Sequence, residues 1–255
     1  MPDLRNCRFP ELGPPYDEAL RQATAYVLER FDPIAILACG TIVAGEPDPG
    51  SDFDLYVIHR EPWRQRVQRR FRGVPAEIFV NSPESAAAYL ESERFRPQSA
   101  HMLASGFPVL ETDPQVAALR DRARGVLAEP PALDAEQATF ERYAGALLVE
   151  DAADVIERDA DAASLLATEA VHHAARMRFR LADRFVPRHK DLLAELDRLD
   201  APLARNVRAF LATGDARRRL ALAGSIAERV FGARGFFEWE SARVPLTSDP
   251  AEQAP

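Results

Sequence analysis

The segment Glu129-Pro130-Pro131 divides the chain into halves that cannot share one architecture. Successive prolines remove backbone donors and drive the residues before them out of the helical region, so regular structure stops there. Before the break, short apolar runs alternate with helical patterns. After it the sequence is rich in Ala, Leu, Arg and Glu, with helical periodicity almost throughout. The expectation is an α+β fold, a mixed β-sheet with flanking helices over residues 1–130, followed by an all-α bundle over 131–243.

In the first half, Asp17 to Phe31 carries apolar residues at helical spacing and stops at Pro33. Ile34 to Cys39 and Phe53 to Ile58 read as strands, separated by the Gly- and Pro-rich stretch Ala44 to Gly50. Val67 to Arg72 and Ala76 to Val80 read as further strands around Gly73 and Pro75. Helices follow over Glu84 to Arg94, Ser99 to Ser105 and Pro114 to Leu127, with Pro108-Val109-Leu110 as an edge strand. In the second half, helices are predicted over Asp134 to Arg158, Asp161 to Phe185, His189 to Leu199, Pro202 to Thr213 and Asp215 to Phe231. From Val244 onward the tail is polar and aperiodic, and is predicted to be disordered.

Composition narrows the function classes. The 255 residues hold 32 Lys+Arg against 40 Asp+Glu, a formal charge of −8, which disfavours a generic nucleic-acid binder needing a basic field. The longest apolar stretch, Ile34 to Gly45, is too short to span a membrane and is broken by Gly40 and Thr41. The N-terminus lacks a basic segment followed by an apolar core, so a cytoplasmic protein is expected. Cys7 and Cys39 are too few for a disulfide framework, and reduced thiols are expected. Lys190 is the single lysine among the basic residues.

The chemistry concentrates around Gly40-Thr41 and Gly50-Ser51-Asp52-Phe53-Asp54. Asp52 and Asp54 lie two apart on a strand, so their carboxylates project from one face and converge as hard oxygen ligands, suited to Mg²⁺. Gly40 permits close backbone approach to a phosphate, and the hydroxyls of Thr41 and Ser51 can donate to phosphate oxygens. Glu77 sits among apolar neighbours in Ala76-Glu77-Ile78-Phe79, where an acid needs a reason to be. It suits a third ligand or a base; the alternative is a structural pair with Arg70 or Arg72.

Gly40-Thr41, ten residues, Asp52-Phe53-Asp54 and the later Glu77 resemble the signature of the DNA polymerase beta-like nucleotidyltransferase superfamily, in its small prokaryotic and antibiotic-modifying branches. The residues from Arg184 to Leu193 give a weaker resemblance to the helical domain of kanamycin- and lincosamide-type nucleotidyltransferases. The resemblance implies transfer of a nucleoside monophosphate from a nucleoside triphosphate, ATP first, to a hydroxyl of a small acceptor, with pyrophosphate released. It implies two Mg²⁺ ions held by Asp52, Asp54 and Glu77, nucleotide contacts from Gly40, Thr41, Ser51 and Lys190, an acceptor site involving the helical domain, and room for a homodimer. Two further readings stay open: transfer to a protein, as in antitoxin-like minimal members, and a nucleotide-binding regulatory module without turnover.

Other features have plainer readings. Arg184 and His189 match the Arg-x4-His spacing of HEPN ribonucleases, a cheap pattern in an Arg-rich bundle. His172-His173 point about 100° apart on a helix and cannot chelate together. Glu150, Asp151 and Asp154 read as a solvated helix face, the sharper alternatives being a subsite for a cationic acceptor or a base from the second domain.

Overall fold

The structure is a computed structural model that describes residues 3–48 and 50–243. It separates into two compact units, Met1–Pro130 and Pro131–Pro255. The tail expected to be disordered, residues 244–255, lies outside the described residues.

The first unit is built on a five-stranded mixed sheet in the order β3-β4-β2-β1-β5. Its strands are β1 (Ala35–Cys39), β2 (Phe53–Ile58), β3 (Gln65–Phe71), β4 (Val74–Asn81) and β5 (Phe107–Glu111). Every residue of β1 is buried, as expected of a strand covered on both faces. β2 and β4 are parallel neighbours, whereas β1–β2, β1–β5 and β3–β4 are antiparallel. The β3–β4 hairpin turns on Arg72 (φ 51°) and Gly73 (φ 82°), between the paired Phe71 and Val74. Two successive left-handed residues match the twist of the flanking strands, so this turn fixes the register.

Period-two alternation sorts the strand side chains onto two faces. Phe53, Leu55, Val57, Ile78 and Val80 join the cluster that α1 (Tyr16–Phe31) covers. Leu37, Cys39, Tyr56 and Ile58 join the opposite cluster, covered by α2 (Pro83–Ser92), α3 (Gln98–Ser105) and α4 (Pro114–Ala128). Asp54 lies two residues before Tyr56, and Glu77 two before Phe79, so both acids belong to this second face.

The second unit consists of α5 (Ala135–Val155), α6 (Ala160–Arg180), α7 (Leu192–Leu199), α8 (Ala201–Ala212) and α9 (Ala216–Phe231). α4, α5, α6, α8 and α9 each start behind an aspartate whose carboxylate accepts a backbone N–H of the first turn. Asp200 goes further, capping α8 while pairing with Arg178 of α6 at 3.0 Å and Arg229 of α9 at 2.8 Å. Gly145 of α5 leaves room for the Phe231 ring at the end of α9.

Three helix ends differ from expectation by three residues or more. α5 stops at Val155, not Arg158, where the Arg158 and Asp159 amides both donate to Val155 O. α6 stops at Arg180, not Phe185, because Asp183 turns left-handed (φ 51°) and Arg184 N–H donates to Phe179 O at 3.0 Å, closing the last turn. α7 begins at Leu192, not His189. Asp191 occupies its cap, and Arg188 Nε binds the Asp191 carboxylate at 2.6 Å in the turn before it. Cys7 and Cys39 are both free, and Cys7 packs against the core cluster that α1 covers. No helix among the described residues is long and apolar enough to cross a membrane.

Candidate metal and nucleotide site

β1 ends at Cys39, just before Gly40, and β2 returns beside it with Cys39 opposite Asp54. Gly40 has φ 95°, and a Cβ placed there would stand 3.2 Å from Asp52 O and 3.4 Å from Asp54 Oδ2. The position therefore demands glycine both for backbone conformation and for space beside the acids.

The loop that follows is tied back at its far end. Thr41 Oγ1 and Ser51 Oγ share a hydrogen bond of 2.8 Å, and Ser51 Oγ also accepts Asp48 N–H at 2.7 Å. Glu46 N–H donates to Thr41 O at 2.9 Å, which folds the loop over its own start. The two hydroxyls thus stand together at the loop mouth, beside Asp52, which precedes the first residue of β2.

Across β2 lies β4, and the parallel register pairs Asp54 with Glu77. Asp52, Asp54 and Glu77 each present a carboxylate oxygen within 4.8 Å of the others; Asp52 is exposed and the other two are half-buried. Among the described residues no other group of His, Cys, Asp and Glu converges in this way. Three hard anionic oxygens at the rim of a sheet fit a hard divalent cation that keeps water and phosphate in its remaining positions.

Glu77 is held from the edge strand. Gln68 Nε2 donates to its Oε1 at 3.2 Å, and Arg66 Nε lies 3.3 Å from the same oxygen. Its cationic partner is thus Arg66, not Arg70 or Arg72. Arg70 donates to Gly73 O at 3.0 Å inside the turn, and Arg72 pairs with Glu18 of α1. Arg66, Gln68 and Arg70 all share Glu77's face of the sheet, with Gln68 directly opposite it, but Arg70 is engaged by the turn, which leaves Arg66 as the partner. Beneath the acids, burial first and the Asp54 charge second push the Cys39 thiol up to about 12, so it stays protonated.

No family model and no curated protein matches the sequence. The solved structures give a likeness. This chain is similar to a nucleotidyltransferase-like protein from Exiguobacterium sibiricum 255-15, with a TM-score of 0.51 and 14% identity over 84% of this chain and 73% of that one. The fold is nucleotidyltransferase-like.

Within this nucleotidyltransferase-like fold, six of the seven residues singled out in the sequence gather around the ends of β1 and β2 and the middle of β4: Gly40, Thr41, Ser51, Asp52, Asp54 and Glu77. Lys190 stands in the second unit, exposed in the turn before α7, and its assignment to the nucleotide rests on the sequence alone. Glu150, Asp151 and Asp154 lie along α5. His173 meets Glu141 O at 2.9 Å and Phe231 at 5.5 Å, and His172 stacks on His189 at 5.4 Å. Sequence reasoning missed Arg66 and Gln68, whose signal was present: both follow the period-two pattern of β3, but only the hairpin register assigns them to Glu77.

Proposed function

We propose that the chain is a metal-dependent nucleotidyltransferase moving a nucleoside monophosphate from a nucleoside triphosphate, ATP first, to a hydroxyl of a small-molecule acceptor. The observation that carries this reading is the convergence of Asp52, Asp54 and Glu77 beside Gly40. The fold likeness supports nucleotidyl transfer in general terms.

Asp52 and Asp54 would hold Mg²⁺, with Glu77 as the third acid, and two ions suit the reaction. When bound, the metal neutralises the phosphates and polarises the reacting phosphoryl oxygens. The chain's own residues handle position and protons. Gly40 lets the triphosphate approach the backbone, and Thr41 and Ser51 exchange their mutual hydrogen bond for donation to phosphate oxygens. The acceptor oxygen forms a bond to the α-phosphorus, the bond from that phosphorus to the bridging oxygen breaks, and pyrophosphate leaves with the electron pair. The hydroxyl proton passes to a carboxylate, for which Glu77 is assigned, oriented by Gln68 and Arg66. The helical unit, residues 131–243, is assigned to acceptor recognition.

The test is calorimetric titration of each nucleoside triphosphate with Mg²⁺ into the wild type and the Asp52→Asn/Asp54→Asn double variant. Metal-dependent binding that the variant loses supports the reading. Equal binding to both proteins removes the acids from the site, and no binding to the wild type overturns the nucleotide assignment.

A further inference from the structure

The face that carries the acids also carries an open pocket of about 370 Å³, one strand repeat further along β2 and β4. Asp54 and Tyr56 are two residues apart on β2, and Glu77 and Phe79 two apart on β4, so each acid is followed on its own face by an aromatic ring about 7 Å away. Phe79, half-buried, stacks against the buried Tyr56, 6.5 Å between centroids and 18° from parallel, and is the ring that borders the pocket. A volume of this size is within the range of small-ligand sites.

The flat surfaces are those of the wall. Arg66 lies over Phe79 at 4.3 Å from the ring centroid, and Arg64 lies over Tyr89 at 5.5 Å and donates to its hydroxyl. Guanidinium planes and aromatic rings are the two surfaces on which nucleobases stack. Arg66 is the physical link to the acids, since the same side chain pairs with Glu77.

Polar groups wait at the pocket's depth. Tyr56 is 1% exposed, and its hydroxyl, beside Ser99, has no hydrogen-bond partner of normal geometry among the described residues. Ser99 commits its own proton to Glu93 at 3.1 Å. Asn81, also buried, donates a long 3.4 Å bond to Phe79 O. A buried hydroxyl facing an open pocket without a partner costs stability unless something fills the place. By contrast, the depression on the other side of Glu77, lined by Asp52, Gln68 and Arg70, offers charge without an aromatic ring and suits phosphate.

We propose that the pocket between Tyr56, Phe79, Arg66 and Asn81 binds a nucleobase, its ring stacked on the exposed Arg66 guanidinium that Phe79 backs and its edge hydrogen-bonded by Tyr56 and Asn81. This deepens the proposed nucleotidyltransferase activity and rests on that reading for its link to catalysis. The base is that of the donor triphosphate or of a nucleoside-like acceptor, and the same chemistry receives either.

The experiment compares wild type, Tyr56→Phe and Phe79→Ala, each checked for folding by thermal melting. Dissociation constants are measured for Mg·ATP and for Mg·tripolyphosphate, and adenosine, guanosine, cytidine and uridine are observed by saturation-transfer NMR without metal. The expected result is that the wild type binds at least one nucleoside, that Phe79→Ala abolishes this signal, and that Tyr56→Phe weakens it several-fold. If the pocket takes the donor base, Mg·ATP displaces the nucleoside and binds the wild type at least tenfold tighter than Mg·tripolyphosphate, an advantage that Phe79→Ala removes while tripolyphosphate binding stays unchanged. If it takes an acceptor, nucleoside and Mg·ATP bind together. The proposal is overturned if no nucleoside gives a signal and ATP binds no tighter than tripolyphosphate, or if both variants behave as wild type. Failure of Mg·tripolyphosphate and Mg·ATP to bind the wild type, with the nucleoside signal intact, overturns the catalytic reading and leaves the pocket standing.

Discussion

Asp54 of β2 and Glu77 of β4 are register partners across a parallel strand pair, so backbone hydrogen bonds hold the two carboxylates side by side. Asp52 joins them from the entry to β2, all three within 4.8 Å. Like charges this close repel even at the high effective dielectric of a protein rim. The sheet imposes the arrangement at a cost in stability, which a bound cation would reverse.

That cost is measurable. In chelator, Asp54→Asn should melt higher than wild type, by a few degrees if the relieved repulsion is about 1 kcal/mol, given roughly 2–4 °C per kcal/mol for a domain of this size. Added Mg²⁺ should raise the wild-type melting temperature, because a ligand that binds the native state stabilises it. It should leave the variant nearly unmoved. Equal Mg²⁺ responses in differential scanning fluorimetry would separate these acids from any metal site.

Gly40 couples the loop to the acids. Its φ of 95° is strained for any side chain, and a Cβ would press on Asp52 O and Asp54 Oδ2. Gly40→Ala should destabilise the protein by about 1–3 kcal/mol and weaken Mg·ATP binding at least tenfold, read from a denaturation curve and a calorimetric titration. Unchanged nucleotide affinity would show that the backbone at position 40 is not approached by the phosphates.

The sequence made the strands of the first unit legible because period-two apolar runs end at Gly and Pro, and it made Asp52 and Asp54 legible because two residues apart on a strand means one face. Glu77 stood out as an acid among core residues. Its partner did not, since pairing Glu77 with Gln68 and Arg66 depends on the two-residue turn at Arg72-Gly73, which a linear reading places only approximately. The aromatic pair was hidden for a related reason: Tyr56 and Phe79 meet only after β3 has been laid outside β4, which lets β2 and β4 run parallel. Helix ends were misjudged where a local hydrogen bond overrode apolar spacing, as at Asp183 and Asp191.

The helical unit has its own tight point. A Cβ on Gly145 would overlap the Phe231 ring. Gly145→Val should therefore destabilise by about 1–3 kcal/mol through overpacking, despite valine's better intrinsic helix propensity. Adding Phe231→Leu, which shortens the obstructing ring, should recover part of that loss. If the single variant unfolds at the same denaturant concentration as wild type, α5 and α9 are not packed as closely as described.

Asp200 sets a pH dependence whose sign follows from its surroundings. Burial alone would raise its pKa, but hydrogen bonds from Arg178 and Arg229, with the Leu203 amide, outweigh that and hold it below 3.8. In the unfolded chain the carboxylate loses these partners and binds protons more readily, so folding stability rises with pH across the interval between the two pKa values. The contribution is fully present above the unfolded value and is lost as pH falls through the folded one. Asp200→Asn keeps the shape and an acceptor for the α8 cap but removes the charge. At pH 7 it should be less stable than wild type by about 1–3 kcal/mol. Denaturant midpoints compared from pH 7 downward should show a constant gap until about pH 4 and a narrowing one below it. A gap that stays constant to pH 2.5 would mean that packing, not the ion triad joining α6, α8 and α9, is what Asp200 supplies.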